Sequence, residues 1–277
     1  DTGGDAAITV TGVMSDASGG INVNGGTGAA TIGGASTITV TQAVAALSGA
    51  IDINGGASAG AAAGGAAKLV FSSSVTTTAN ATIDGGAAGT GAGNGGASEL
   101  EVDGVWSGAS NTITITGGTA GTATNGADGG VATGNFDAAV TAKGISVIGA
   151  NGSAAAFTAD GGAAILTVDG GAATIGTTGL TVTAGNGTTL SWSVYGSFQV
   201  ASTGTILAYH ISGNGTSQIV DPKPLIPSSL ELIGIPSRSI RITADLDSTN
   251  YTLIHGDDST ASGSLNKTNV ISVNGRG

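Results

Sequence analysis

Cysteine is absent from the 277 residues, which excludes a disulfide framework and a thiolate metal site. Cations are scarce as well: seven lysines and arginines stand against 18 aspartates and glutamates, and the net charge is −11. A nucleic-acid partner requires clustered cations to neutralise phosphates, so the composition predicts no such partner. The longest apolar runs are much too short for a membrane-spanning helix, so no transmembrane segment is predicted.

Aromatic residues make up 3% and charged residues 9% of the chain, whereas 52 residues are glycine. Disordered segments combine low hydrophobicity with high charge, but this chain is 40% hydrophobic. Glycine disfavours helix by about 1 kcal/mol per position relative to alanine. Short runs of isoleucine, valine and threonine bounded by glycine and asparagine indicate strands joined by turns. The composition therefore predicts a folded, all-β protein.

A repeat organises the first two thirds of the chain. Glycine pairs that each precede a strand-like segment begin at positions 33, 64, 95, 129 and 161, so the spacings are 31, 31, 34 and 32. Large apolar residues follow the pairs at fixed offsets, Ile38, Leu69, Leu100 and Leu166 at one position and Val40, Phe71, Val102 and Val168 two residues later. A period of roughly 20–50 residues is typical of stacked repeats.

A second strand-like segment recurs in each unit. Its aligned positions are Ile21, Ile51, Ala81, Ile113 and Ile145, and then Val23, Ile53, Ile83, Ile115 and Val147; a less regular third segment contains Val44, Val75, Val105 and Val140. The sequence therefore predicts a right-handed parallel β-solenoid with coils of about 31 residues, in which equivalent strands stack on one another. A β-sandwich, or a glycine-rich tail around a smaller domain, would not require these fixed offsets.

Alternation within a strand predicts which side chains are buried. Leu100 and Val102 should face the core, whereas Glu99, Glu101 and Asp103 should face water. Stacking then predicts the neighbours in adjacent coils.

Lys68 should lie one coil from Glu99 and form an exposed ion pair with it, and Leu69 should lie next to Leu100. At the corners, the glycine pairs are expected to adopt positive φ angles, which a β-carbon would hinder. The residues just before these corners are of types that hydrogen-bond in turns; they are Asn24, Asn54, Asp84 and Thr116.

The composition changes near residue 178, so we predict repeats over 1–177 and a β-rich C-terminal module over 178–277 that continues the solenoid. All four prolines lie within 221–236, and most of the tyrosine lies in this module. The segment "NYTLIHGDDSTASGSLNKTNV" at 250–270, following glycine-rich coils, resembles the distal part of autotransporter-type and filamentous-haemagglutinin-type secreted passengers. The resemblance implies a β-helix exposed at a bacterial surface. A first residue other than Met suggests a mature product whose signal peptide has been removed.

One set of carboxylates is a candidate metal site. If the register holds, one outward column contains Thr41, Ser72, Asp103, Asp137 and Asp169. Three carboxylates on successive rungs repel one another unless a cation such as calcium bridges them. Alternatively, the 34-residue coil breaks the register and the aspartates are solvated turn residues.

No catalytic or cofactor-binding residues are predicted. His210 and His255 have no companion ligands nearby in sequence, and no serine lies in a convincing nucleophile elbow. A polysaccharide lyase or hydrolase is the minor enzymatic alternative. Ice binding is another minor alternative, raised by "STITVT" and "NTITIT", but charged residues interrupt the threonine columns.

A repetitive scaffold without an evident site indicates a mechanical function. The N-terminal segment "DAAITVTGV" alternates like the coil strands, and open strand edges pair readily with other chains. We therefore predict an extracellular structural protein whose partner is itself, joined head-to-tail by strand pairing into a cell-surface filament or sheath. The alternative is a monomeric adhesin that binds surface glycans along one face of the solenoid.

Overall fold

The computed structural model describes residues 1–15, 18–122, 126–153, 159–168 and 173–185, and beyond them the backbone of nine strands between 195 and 274. The strands in chain order are β1 (Ala6–Val10), β2 (Ile21–Asn24), β3 (Ser36–Val40), β4 (Val44–Leu47), β5 (Ile51–Asn54), β6 (Ala67–Phe71), β7 (Val75–Thr77), β8 (Ala81–Asp84), β9 (Ser98–Val102), β10 (Trp106–Thr116), β11 (Ala132–Phe136), β12 (Val140–Ile148), β13 (Ala164–Val168), β14 (Ala173–Thr183), β15 (Tyr195–Val200), β16 (Thr205–Ile206), β17 (Tyr209–Ser212), β18 (Thr216–Asp221), β19 (Leu230–Ile233), β20 (Ser239–Ala244), β21 (Asn250–Ile254), β22 (Thr260–Ser264) and β23 (Val270–Asn274).

Each coil contributes strands to two long sheets. Sheet A has the order β1-β3-β6-β9-β11-β13-β15-β18-β20-β23, and the main path of sheet B is β2-β5-β8-β10-β12-β14-β17-β19. The third segment of the repeat also belongs to sheet B, where β4 pairs with β7 and β7 pairs with β10; β16 pairs with β14. All pairs in these orders are parallel except the last one in sheet A, where β23 is antiparallel to β20. Equivalent strands therefore stack coil upon coil, which confirms the predicted all-β parallel solenoid.

The stacking also continues past the predicted domain boundary. Residues 177 and 178 both lie within β14, and β13 pairs with β15 in the same register as earlier coils. The β21–β22 hairpin forms a small sheet of its own. The division into two domains stays a prediction.

The predicted inward columns form the core. Ile38, Leu69 and Leu100 align in register and are fully buried. In the next coil this column passes through Gly134, where the Cδ1 atoms of Ile115 and Leu166 approach to 3.0 Å of the place a β-carbon would take. Larger neighbours thus fill the space that the missing side chain leaves.

The 34-residue coil does not break the register, so that part of the alternative is wrong. Its other part, that the aspartates are solvated turn residues, agrees with Asp103 and Asp137, which are exposed and lie in bends directly after β9 and β11. Leu100, Gly134 and Leu166 pair in sequence across it. The extra residues lie outside sheet A, in the bulge of β10 between Gly108 and Thr112 and in the arc before β11. Insertions there lengthen the connections without shifting the strands.

One aligned position of the third segment is wrong. Val105 was aligned with Val75 and Val140, but Trp106 occupies that column, paired with Val75 on one side and Val140 on the other. Trp106 is fully buried, whereas Val105 is 41% exposed. Val44, Val75 and Val140 each come four positions after the last residue of the preceding sheet A strand, and in this coil that position is 106.

Trp106 also joins the aromatic residues of adjacent coils. Its ring meets Phe71 edge-on with a centroid distance of 5.8 Å and Phe136 with a distance of 6.5 Å. Such edge-to-face pairs add roughly 0.5–1.5 kcal/mol each beyond the buried area. The three rings therefore link three coils through the middle of the core.

The glycine pairs have a different role from the predicted one. Among the described glycines, positive φ angles occur at Gly20, Gly126 and Gly179 and not in the pairs. The pairs are required because the backbones of the two sheets approach each other there. A β-carbon at Gly56 would overlap the carbonyl oxygen of Gly26, so no side chain fits.

Hydrogen bonds join these glycines into a continuous line along the stack, which we call the glycine seam. Gly34 donates its N–H to the Gly26 carbonyl (2.7 Å), Gly56 donates to Gly34 (2.8 Å), and Gly65 donates to Gly56 (2.8 Å). The seam alternates between residues that follow sheet B and residues that precede sheet A. Its members are Gly4, Gly26, Gly34, Gly56, Gly65, Gly86, Gly96, Gly118, Gly130, Ala150, Gly162 and Gly185.

Candidate functional site

Asp103 and Asp137, two members of the predicted acidic column, lie at equivalent positions directly after β9 and β11. The Asp103 amide donates to the Phe71 carbonyl and the Asp137 amide donates to the Val102 carbonyl, each at 2.9 Å. These bonds place Asp103 and Asp137 on adjacent coils, and both are exposed. The third candidate, Asp169, lies outside the described residues.

Lys68 holds the neighbouring acidic side chains together. Its Nζ lies 3.0 Å from Glu99 Oε1, which confirms the predicted pair, and 3.1 Å from Glu101 Oε2. The hydrogen bond to Glu99 is the main cause that raises the pKa of Lys68 above 10.5. The ion pair with Glu101 was not predicted, although alternation places Glu101 on the same outer face as Glu99, two residues away.

The negative charge of Asp103 is less well compensated than the charges of Glu99 and Glu101, which pair with Lys68. Partial desolvation raises its pKa above 3.8, and the nearby charges of Glu101 and Asp137 raise it further. Asp137 accepts a hydrogen bond of 2.8 Å from Asn135 Nδ2. Lys68 neutralises part of this acidic surface, which spans three coils.

The described residues do not assemble a metal centre at this surface. No group of three or more histidine, cysteine, aspartate or glutamate side chains in the described ranges is arranged to hold an ion. Asp103 and Asp137 are two of the three predicted ligands, and the third is not described. The calcium site therefore stays a prediction.

The two threonine-rich segments lie on different sheets. "STITVT" contains β3 of sheet A, whereas "NTITIT" belongs to β10 of sheet B. In sheet A the column of Thr37 continues with Lys68 and Glu99, as predicted. The two segments therefore do not combine into one flat threonine array.

Side chains at the end of sheet B form a ladder along the stack. Asn54 Nδ2 donates to Asn24 Oδ1 at 2.8 Å, which confirms hydrogen bonding along this column. Asp84 continues it in the next coil and is bonded to Thr116. Burial raises the pKa of Asp84 above 3.8, and the charge of Asp52 adds to this while the bond to Thr116 opposes it.

A second ladder, not predicted from the sequence, precedes the glycine pairs. The amide of Asp128 donates to Asn94 Oδ1, and the amide of Asp160 donates to Asp128 Oδ1, each at 2.9 Å. The signal for it was an asparagine or aspartate directly before each of these glycine pairs. Both ladders fix the vertical register of the corners.

The histidines lie in the C-terminal part. His210 is in β17 at a register position between Thr181 and Glu231, so stacking provides an acidic neighbour that is distant in sequence. His255 lies outside the described residues. No membrane-crossing helix occurs in the described ranges.

The β1 end of the stack exposes apolar side chains. Ile8 is 43% exposed and Val13 64% exposed, and Ala6, Val10 and Met14 are only partly buried against the core. In the described residues β1 pairs with β3 alone, so its other edge carries unpaired backbone groups.

No protein-family model matches the chain, and no curated protein or solved structure matches it either. The resemblance of residues 250–270 to secreted passengers therefore stays a prediction.

Proposed function

We propose that this protein is an extracellular structural subunit that self-assembles head-to-tail into a cell-surface filament or sheath. One observation carries the proposal: the core is uncovered at the β1 end. Ile8 shares a column with Ile38 and Leu69, yet it is 43% exposed while both of the others are fully buried. Burial of apolar surface contributes about 25 cal/mol per Å², so covering this end with a second molecule is favourable.

The backbone at the same end supports strand pairing. Ala6 donates its N–H to Ala35 at 2.8 Å, and the Val10 carbonyl accepts from Thr41 at 3.0 Å. Because backbone groups alternate sides along a strand, those of Ala7 and Thr9 point to the open edge. An edge with apolar side chains and free amides is a template for another strand.

A contact between unlike ends generates a ring if the rotation between copies closes and an open filament if it does not. Copies stacked end to end along the solenoid axis do not turn back on themselves, so the proposed assembly is an open filament. A monomeric adhesin would instead keep its end coils apart from other copies. The location outside the cell follows from the resemblance to secreted passengers.

Electron microscopy and light scattering of the full chain, over a range of concentrations in plain buffer, test the proposal. Filaments should form without a ligand, above a critical concentration. Thr9→Pro removes an N–H that faces only the open edge, and Ile8→Lys places a charge in the joint. Both variants should keep the far-ultraviolet circular dichroism of the parent and raise the critical concentration at least tenfold.

Val105→Lys is the matched control, because it also replaces an exposed apolar side chain by lysine, but in the middle of the stack. It should assemble like the parent. Concentration-independent rods in the parent, or equal assembly by Ile8→Lys and Val105→Lys, would contradict the proposal and favour the adhesin.

A further inference from the structure

The two ends of sheet A differ in strand direction. From β1 to β20 all neighbouring strands are parallel, and β23 then pairs with β20 in the opposite direction. A second copy stacked on this end with the same axial direction would therefore present its β1 antiparallel to β23. Antiparallel pairs form the slightly more stable ladder. The reversed direction of β23 therefore makes this end a favourable partner for β1 of a second copy.

The register specifies which residues would meet. A single column crosses all ten strands of sheet A, and every position except Gly134 holds a large apolar residue. The column contains Ile8, Ile38, Leu69, Leu100, Gly134, Leu166, Phe198, Ile219, Ile242 and Ile271. Ile8 and Ile271 are the two end members of this column.

Only one antiparallel register continues the column across a joint. With Ile8 of the incoming copy opposite Ile271, Ala6 falls opposite Val273 and Ala7 falls opposite Ser272. The β23 strand has apolar residues at 271 and 273, paired with Ile242 and Ile240. A shift by one residue would place Ile8 opposite Val270 or Ser272, which pair with Thr243 and Arg241 and lie outside the column, so the column would be interrupted.

We propose that the joint of the filament is an antiparallel pair between β1 of one copy and β23 of the next, with Ile8 opposite Ile271. This inference rests on the proposed head-to-tail assembly and identifies its interface. Sheet A then runs without interruption from one subunit to the next.

Disulfide trapping in full-length chains tests the joint, and the absence of native cysteine keeps the result unambiguous. Chains carrying Ala7→Cys and chains carrying Ser272→Cys are mixed under assembly conditions and mildly oxidised. Opposed residues of an antiparallel pair have Cα atoms roughly 4.5–5.5 Å apart, within the range of a disulfide. The mixture should give a covalent dimer, each chain alone should stay monomeric, and the double variant should give a ladder of multimers.

Thr37→Cys is the matched control for Ala7→Cys, because Thr37 is the equivalent position in the inner strand β3; it should not cross-link to Ser272→Cys. Filaments without the Ala7–Ser272 cross-link would overturn this joint and leave the proposed function standing. A covalent dimer from Ile8→Cys alone would show a head-to-head contact and overturn it too. Absence of parental filaments would overturn the proposed function and the joint together.

Discussion

At the scale of the residue, the charged carboxylate of Asp84 destabilises the folded state at neutral pH. Burial raises its pKa above 3.8, so the folded state binds the proton more tightly than the unfolded state. Stability therefore increases as the pH falls from the raised pKa towards 3.8, and at neutral pH the charged group costs free energy. Asn54, one coil below, occupies the same column with a neutral amide.

We expect Asp84→Asn to raise the free energy of unfolding at pH 7, by about 1 kcal/mol at most, because the neutral amide does not carry the desolvation cost of the half-buried carboxylate. The gain should shrink on acidification and vanish below about pH 3.8, where Asp84 is protonated in both states. Urea denaturation as a function of pH measures it. Asn54→Asp is the converse change and should destabilise at neutral pH; a gain of Asp84→Asn that does not vary with pH would contradict the explanation.

Among the side chains that the structure describes, Trp106 is the largest that is fully buried. We expect Trp106→Ala to cost about 3–5 kcal/mol, as is typical when a buried tryptophan is truncated. Chemical denaturation followed by circular dichroism measures the loss. Val105→Ala, at the exposed position next to it, should change stability by less than about 0.5 kcal/mol. Equal losses of stability in the two variants would contradict the placement of Trp106 in the core column.

At the scale of the element, the glycine seam leaves little room for side chains: eleven of its twelve members are glycine, and the other is Ala150. A β-carbon at Gly86 would overlap the Gly56 carbonyl oxygen and lie 2.7 Å from the Gly65 nitrogen. We expect Gly86→Ala to destabilise the solenoid by about 1–3 kcal/mol or more through overpacking. The matched control is Gly12→Ala, since nothing lies within 4 Å of its added carbon, and there the change should be neutral or slightly stabilising. Thermal unfolding compares the two, and equal melting temperatures would contradict a tight seam.

The strands were predictable from the sequence because alternation and a constant period fix them together. The column that contains Leu69 and Leu100 can be predicted from the period and the alternation alone. The seam was not predictable in this way, because its contacts join backbone atoms of different coils and glycine carries no side chain that reports them. The ion pair between Lys68 and Glu101 was not predictable either, because it depends on how far the two side chains reach.

At the scale of the whole molecule, the candidate functional surfaces were predictable in part. The column of Asp103 and Asp137 follows directly from the period, whereas the exposure of Ile8 depends on which coil is the last in the stack. Stacked repeats interact mainly with their neighbours, so an end coil lacks half of its contacts. This imbalance is the physical basis of the proposed assembly.

The direction of the hydrogen bonds in the glycine seam gives the solenoid an electrical polarity. In every bond along the seam the donor comes later in the chain than the acceptor, so the N–H groups point towards the β1 end and the carbonyls point away from it. Peptide dipoles aligned head-to-tail add up, as they do in an α-helix, whereas the dipoles of ordinary strands largely cancel. The β1 end is therefore the positive pole of this line. Two solenoids that meet end to end in the same direction bring opposite poles together, whereas two β1 ends that face each other bring like poles together.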